Sequence, residues 1–219
     1  MKQIDIFENI PLFSGLNDDE RDILRKVAVK KTFPKNTILF SEGDRTDSLY
    51  LISSGKVKVT MNDEEGKEIV LSILGPHEYF GEMALMDGEP RSAYVVTRET
   101  TNVLIISRGD FRNVLSSNSN IAFNIIKGLL KRLREADKKI ESLALNDVYG
   151  RIARLFVNLA KPVDQKLVIE EKLTHQDIAN MVGSSREMVS RILKELSIGD
   201  YITIDKKNIT INKKLPYSW

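Results

Sequence analysis

Between Lys31 and Ser107 apolar and polar residues alternate in short runs, cut by Gly, Asn, Asp and Pro. That period of two marks strands with one buried face. The runs are Thr37–Phe40, Ser48–Ser53, Lys56–Met61, Glu68–Leu74, one ending near Phe80, Ala93–Thr97 and Thr101–Ser107. Ser54-Gly55, Asn62–Gly66 and Gly75-Pro76 supply the turns between them. Seven or so short strands at this spacing predict an antiparallel roll or barrel. Ahead of them, Asn17-Asp18-Asp19-Glu20 offers an N-cap and acidic first turn for a helix through about Val29.

After Ser107 the period changes. Ala122, Ile126, Leu129, Leu133, Ala136, Ile140 and Leu143 are spaced 4, 3, 4, 3, 4, 3, with Lys131, Arg134, Glu135, Lys138 and Lys139 between them. This narrow seam predicts a helix that pairs with a second copy of itself. An amphipathic helix lying on its own roll would need a wider apolar stripe. Further on, Val148–Ala160 reads as a helix that Lys161–Asp164 ends, and Leu167–Glu170 as a short strand. Thr174–Met181 and a segment opening at Ser184 read as two helices joined at Gly183. Thr174 with Asp177, and Ser184 with Glu187, have capping-box spacing. Tyr201–Ile204 and Asn208–Ile211 alternate around Asp205-Lys206-Lys207, as a hairpin wing would. The fold class is therefore α+β: a jelly-roll-like β-barrel over 1–112, a long dimerisation helix over 113–145, and a winged helix–turn–helix over 146–219.

Composition narrows the chemistry. The 219 residues contain no cysteine, which excludes disulfides, thiolate metal sites and cysteine-held iron–sulfur clusters. The two histidines, His77 and His175, lie far apart in sequence, so neither a metal nor a haem is expected. No apolar run approaches the roughly 20 residues of a membrane span, and a soluble cytoplasmic protein is expected. Net charge divides unevenly: Met1–Leu145 has 21 Lys/Arg against 22 Asp/Glu, and Asn146–Trp219 has 12 against 9. The C-terminal part is the basic one, as a polyanion partner requires. No nucleophile–base constellation stands out, and no enzyme is expected.

Candidate ligand chemistry concentrates in Tyr79–Val95, YFGEMALMDGEPRSAYV. Gly81 permits close backbone approach, a following helical turn presents unpaired amides, and Arg91 carries a planar fork suited to phosphate. Glu82 beside an anion site is useful as an acceptor from hydroxyls, which a ribose supplies. An exposed arginine–glutamate ion pair is the plainer alternative. The run Gly81, Glu82, Met83, Ala84, Leu85, then Arg91, Ser92, Ala93, resembles the phosphate-binding cassette of the CRP/FNR family of bacterial transcription regulators. That resemblance implies that Gly81, Met83 and Ala84 line the site, Arg91 and Ser92 hold a cyclic phosphate, and Glu82 holds the ribose 2′-hydroxyl.

The segment Leu173–Leu196 carries the second signature. Val189, Ile192, Leu193 and Leu196 fall on one helix face, and Arg186, Glu187, Ser190, Arg191 and Lys194 on the other. Gly183-Ser184-Ser185-Arg186-Glu187-Met188-Val189-Ser190-Arg191 resembles the reading helix of the same family. The resemblance implies contacts to base edges from Arg186, Glu187 and Arg191: arginine suits guanine O6/N7 and glutamate suits cytosine N4. Thr174, His175, Gln176, Ser185 and Ser190 join the DNA surface, and Lys206 and Lys207 reach phosphates from the wing. Glu187 is also a capping residue in this reading, and the two roles compete for the same oxygens.

The family implies a homodimer that binds a double-stranded DNA operator, contacts RNA polymerase and answers to a cyclic nucleotide, with cyclic AMP expected. One departure stands out. Members that bind cyclic AMP place a Thr-Ser pair on the dimer helix against the adenine, and the corresponding residues here are Ala136 and Asp137. A carboxylate only accepts hydrogen bonds, and guanine offers two adjacent donors. Asp137 thus opens a guanine alternative, cyclic GMP or cyclic di-GMP, beside its reading as a solvated helix charge. A ligand-independent DNA-binding dimer, with the roll as scaffold, is the remaining alternative.

Overall fold

The computed structural model describes residues 6–164, 166–205 and 208–215. Two compact units are present, Met1–Leu133 and Arg134–Trp219. In the first, α1 (Ile6–Asn9) and a 3-10 turn (Pro11–Phe13) lead to α2 (Asp18–Val27). Asn17 caps α2, as the sequence predicts, and Glu20 reaches back to complete a capping box. The helix stops two residues earlier than expected. Val29 instead starts β1 (Val29–Phe33), which pairs antiparallel with β8 (Thr101–Ile106). Pattern reading misses β1 because four of its five residues are exposed, so it shows no alternation.

The remaining strands are β2 (Ile38–Phe40), β3 (Leu49–Ser54), β4 (Val57–Asn62), β5 (Glu68–Leu74), β6 (Tyr79–Phe80) and β7 (Tyr94–Thr97). They form two four-stranded sheets, ordered β1-β8-β3-β6 and β2-β7-β4-β5. The two sheets share no strand, so the roll is barrel-like without being closed. Phe40, Ile52, Val57, Leu74, Phe80, Val95 and Val103 make the core of the roll. A second cluster joins Phe7, Ile10, Phe13 and Leu24 to Phe111, Ile121 and Ile125. Each fully buried side chain of this kind contributes about 1.5–3 kcal/mol.

The stretch after Ser107 is two helices, α4 (Arg108–Ser117) and α5 (Ser119–Leu145), separated at Asn118. Ser107 caps α4 by accepting from the Asp110 amide. Asn118 accepts from the Asn120 amide and donates to Glu20 Oε1 at 2.8 Å, which fixes the break. Ile121 and Ile125 are buried, and Gly128 presses on Tyr79. On the seam, Ile126, Leu129, Leu133, Ile140 and Leu143 are all exposed in the single chain.

In the second unit α6 (Val148–Leu159) is capped by Asp147 and packs with α7 (His175–Val182) and α8 (Arg186–Ile198). Strands β9 (Lys161–Val163), β10 (Lys166–Ile169), β11 (Ile202–Asp205) and β12 (Asn208–Ile211) form one sheet ordered β11-β12-β10-β9. The segment after α6 is thus a strand, not only a helix stop. The β11–β12 hairpin is the expected wing, anchored to the domain because β12 also pairs with β10. Arg151 of α6 donates to the Asn146 carbonyl at 2.9 Å and the Val182 carbonyl at 2.8 Å. It thereby ties the end of α5 to the turn between α7 and α8.

Candidate nucleotide and DNA sites

The cassette begins where β6 ends. Gly81 has φ 85°, a left-handed conformation that only glycine adopts freely, and opens a short helix, α3 (Glu82–Asp87). No side chain caps α3, so its first amides stay available to an anion. A Cβ at Gly81 would lie 2.6 Å from Arg91 Nη1 and 2.8 Å from the Ser48 carbonyl oxygen. The missing side chain therefore makes room for the arginine itself. At the other end of α3, Arg108 donates to the carbonyls of Ala84 (2.6 Å) and Leu85 (3.1 Å).

Arg91 is 2% exposed. It donates from Nε to Thr46 Oγ1, from Nη1 to the Gly81 carbonyl and from Nη2 to the Ser48 carbonyl, each at 2.8 Å. Its guanidinium lies 4.2 Å from the centroid of the Phe40 ring, and Tyr50 stacks on Phe80 beside it. Burial pushes the Arg91 guanidinium down from its ordinary value, while Tyr50, Asp47, Glu82 and Asp44 act in the opposite sense. This is a rigid, preformed cation rather than a surface ion pair. Ser92 is exposed next to it and lies 3.7 Å from the Met83 sulfur. Met83 is exposed and Ala84 is buried.

Glu82 is also buried, 2% exposed. Arg132 of α5 pairs with its Oε1 and also holds the Tyr79 carbonyl. The other oxygen, Oε2, has no hydrogen-bond partner among the described residues. A buried acceptor left open in this way costs about 1–3 kcal/mol, which a hydroxyl donor would recover. The residues present therefore fit a ribose phosphate. Sequence reading missed Arg132, though Ile121, Ile125, Gly128 and Arg132 recur at 4, 3 and 4 on the inward face of α5. Ala136 and Asp137 are exposed positions on α5 in the other compact unit.

The second unit brings the other predicted residues together. Thr174 caps α7 in a capping box with Asp177, and its hydroxyl also contacts Asp177 Oδ2 at 2.7 Å. Gly183 turns the chain at φ 65°, and the Ser184 amide donates to the Ala179 carbonyl. The cap of α8 is Ser185, accepting from the Met188 amide, and not Ser184 with Glu187 as expected. The turn holds Ser184 against the end of α7, which moves the helix start one residue on. Glu187 is thereby released from capping, and no hydrogen bond involves its carboxylate among the described residues. Arg186, Glu187 and Arg191 are exposed, and Arg191 Nη2 lies 2.9 Å from the Met188 sulfur. Gln176 donates to Asn180 at 2.7 Å, and His175 meets Ser190. Lys206 and Lys207 lie outside the described residues.

Residues 30–118 match the family profile of the cyclic nucleotide-binding domain, and residues 150–214 that of the Crp-like helix-turn-helix domain. The chain belongs to the CRP/FNR family of transcription regulators. It is 37% identical over 183 residues to the cAMP-activated global transcriptional regulator CRP of Salmonella typhimurium, covering 82% of this chain and 87% of that protein. It is 35% identical over 187 residues to the cyclic AMP receptor protein of Thermus thermophilus, covering 85% of each. Among solved structures, the c-di-GMP responsive global regulator CLP of Xanthomonas campestris superposes with a TM-score of 0.80. The identity is 27%, over 90% of this chain and 100% of that one. As a CRP/FNR member the chain is a cyclic nucleotide-binding, DNA-binding transcription regulator and not an enzyme. No helix among the described residues is long and apolar enough to cross a membrane.

Proposed function

We propose that cyclic AMP gates this regulator, which acts as a cytoplasmic homodimer on a DNA operator, with RNA polymerase as a further partner. The observation that carries the reading is the cassette: Glu82 Oε2 is buried without a partner, close in sequence to the uncapped start of α3 and to Arg91, three of whose five N–H donors are engaged. Arg91 and the α3 amides hold the cyclic phosphate, Ser92 adds a hydroxyl, and Glu82 accepts from the 2′-hydroxyl. The exposed seam of α5 pairs two copies, placing two reading helices about one DNA turn apart. Arg186, Glu187 and Arg191 read base edges; Thr174, His175, Gln176, Lys206 and Lys207 contact the backbone.

Identity to the cyclic-AMP-activated relatives supports the adenine nucleotide. Likeness to the c-di-GMP responsive regulator, together with Asp137, favours a guanine nucleotide as the second reading. Calorimetry with cyclic AMP, cyclic GMP and cyclic di-GMP separates them. Cyclic AMP should bind tightest and raise DNA affinity in a gel shift, and Arg91→Leu should remove the nucleotide dependence. A guanine preference lost in Asp137→Ala would establish the second reading. Equal DNA affinity with and without all three nucleotides would leave the roll as a scaffold.

A further inference from the structure

His175 is the first residue of α7 and Ser190 lies in the second turn of α8, yet their side chains meet. His175 Nδ1 is 2.6 Å from Ser190 Oγ. The bond joins the supporting helix to the reading helix at its DNA-facing surface. His175 is exposed and Ser190 half-buried. Ser190 follows Glu187 by three residues and Arg186 by four, so all three share one side of α8.

A serine alone is a poor reader of bases. Its hydroxyl rotates among three staggered positions, and it can either donate or accept. The contact with His175 removes the first freedom, and with the ring proton of His175 on Nε2 it removes the second as well. We propose that His175 turns Ser190 into a base-specific acceptor. Ser190 donates its proton to Nδ1, and its free lone pairs face the groove. There they accept from an exocyclic amino group, N4 of cytosine or N6 of adenine. Guanine O6 or thymine O4 at the same place would set acceptor against acceptor. The outer Nε2–H of the ring donates to a phosphate oxygen, which holds the pair in register. His175 is thus a positioning residue that acts on sequence choice through Ser190. This deepens the reading of the chain as a DNA-binding regulator and rests on it.

The test is selection of binding sites from a randomised double-stranded DNA pool by the full-length protein, with whichever of the three nucleotides supports binding. Wild type should prefer C or A at one position per half-site, and Ser190→Ala should flatten that position alone. His175→Leu should flatten the same position by about fivefold, the worth of one hydrogen bond. His175→Asn, whose amide oxygen can accept near the place of Nδ1, should retain the preference. The double variant Ser190→Ala with His175→Leu should be no less selective there than either single one. The proposal is overturned if His175→Leu weakens all sequences equally, as loss of a phosphate contact alone would. A preference for G or T at the position governed by Ser190 also overturns it. Failure of wild type to select any site would instead remove the DNA-regulator reading itself.

Discussion

Replacing Gly128 by alanine should lower stability, although alanine is the better helix former by about 1 kcal/mol. The added Cβ would sit 2.1 Å from Tyr79 Oη and 3.4 Å from its Cζ. The tyrosine cannot easily retreat: it is 8% exposed, Arg132 lies over its ring and holds its carbonyl, and its strand pairs with Leu51. Overpacking of this sort costs about 1–3 kcal/mol, so the net effect is a loss of up to about 2 kcal/mol. Removing the hydroxyl with Tyr79→Phe leaves ring carbon as the nearest atom, at ordinary contact distance. In that background Gly128→Ala should become stabilising by about 1 kcal/mol. Scanning calorimetry of the four full-length proteins measures both effects. If Gly128→Ala raises the transition temperature equally in both backgrounds, the reasoning is refuted.

His77 holds φ 70° in the turn between β5 and β6. His77→Gly should stabilise by about 0.5–1 kcal/mol, the relief of a left-handed residue less the entropy glycine gains when unfolded. Urea midpoints would show it, and an unchanged midpoint would contradict the strain. Leu133 and Ile140 are 57% and 64% exposed on the seam, so Leu133→Lys or Ile140→Lys should halve the sedimenting mass without changing the circular dichroism. An unchanged mass would sink the paired-helix assignment. Burial pushes the phenols of Tyr50 and Tyr79 up, with Arg91 and Arg132 partly opposing it. Both states are protonated below the ordinary tyrosine value, and above it the unfolded chain ionises first. Stability should therefore fall as pH climbs through and beyond the ordinary tyrosine value of about 10, with two phenols titrating late in absorbance. Loss of stability beginning well below pH 9 would need another cause.

Local chemistry was legible in the chain; chemistry assembled by folding was not. Asn17, Asp177 and Gly183 act within a few residues of themselves, and each does what its spacing implies. The helix α5 and its exposed apolar row were legible because one helix repeats one pattern. By contrast β1 shows outward side chains and is held by β8, some seventy residues away, so no window of sequence contains its reason. Ser184 and Ser185 are equally good caps, and only the Ser184 bond to Ala179 decides between them. Arg91, Arg108 and Arg151 donate to backbone carbonyls, acceptors that every residue carries and no pattern marks. Arg132 lay within the legible helix but faces Glu82, a partner fifty positions earlier.

Folding itself strips water from the Arg91 guanidinium, since carbonyls and an aromatic ring replace its hydration shell. A diphosphate, a sulfate or any compact anion that reaches this seat meets a cation with little left to dehydrate. Heat resistance of the N-terminal unit should accordingly climb with the concentration of simple oxyanions, long before any sugar or base is offered.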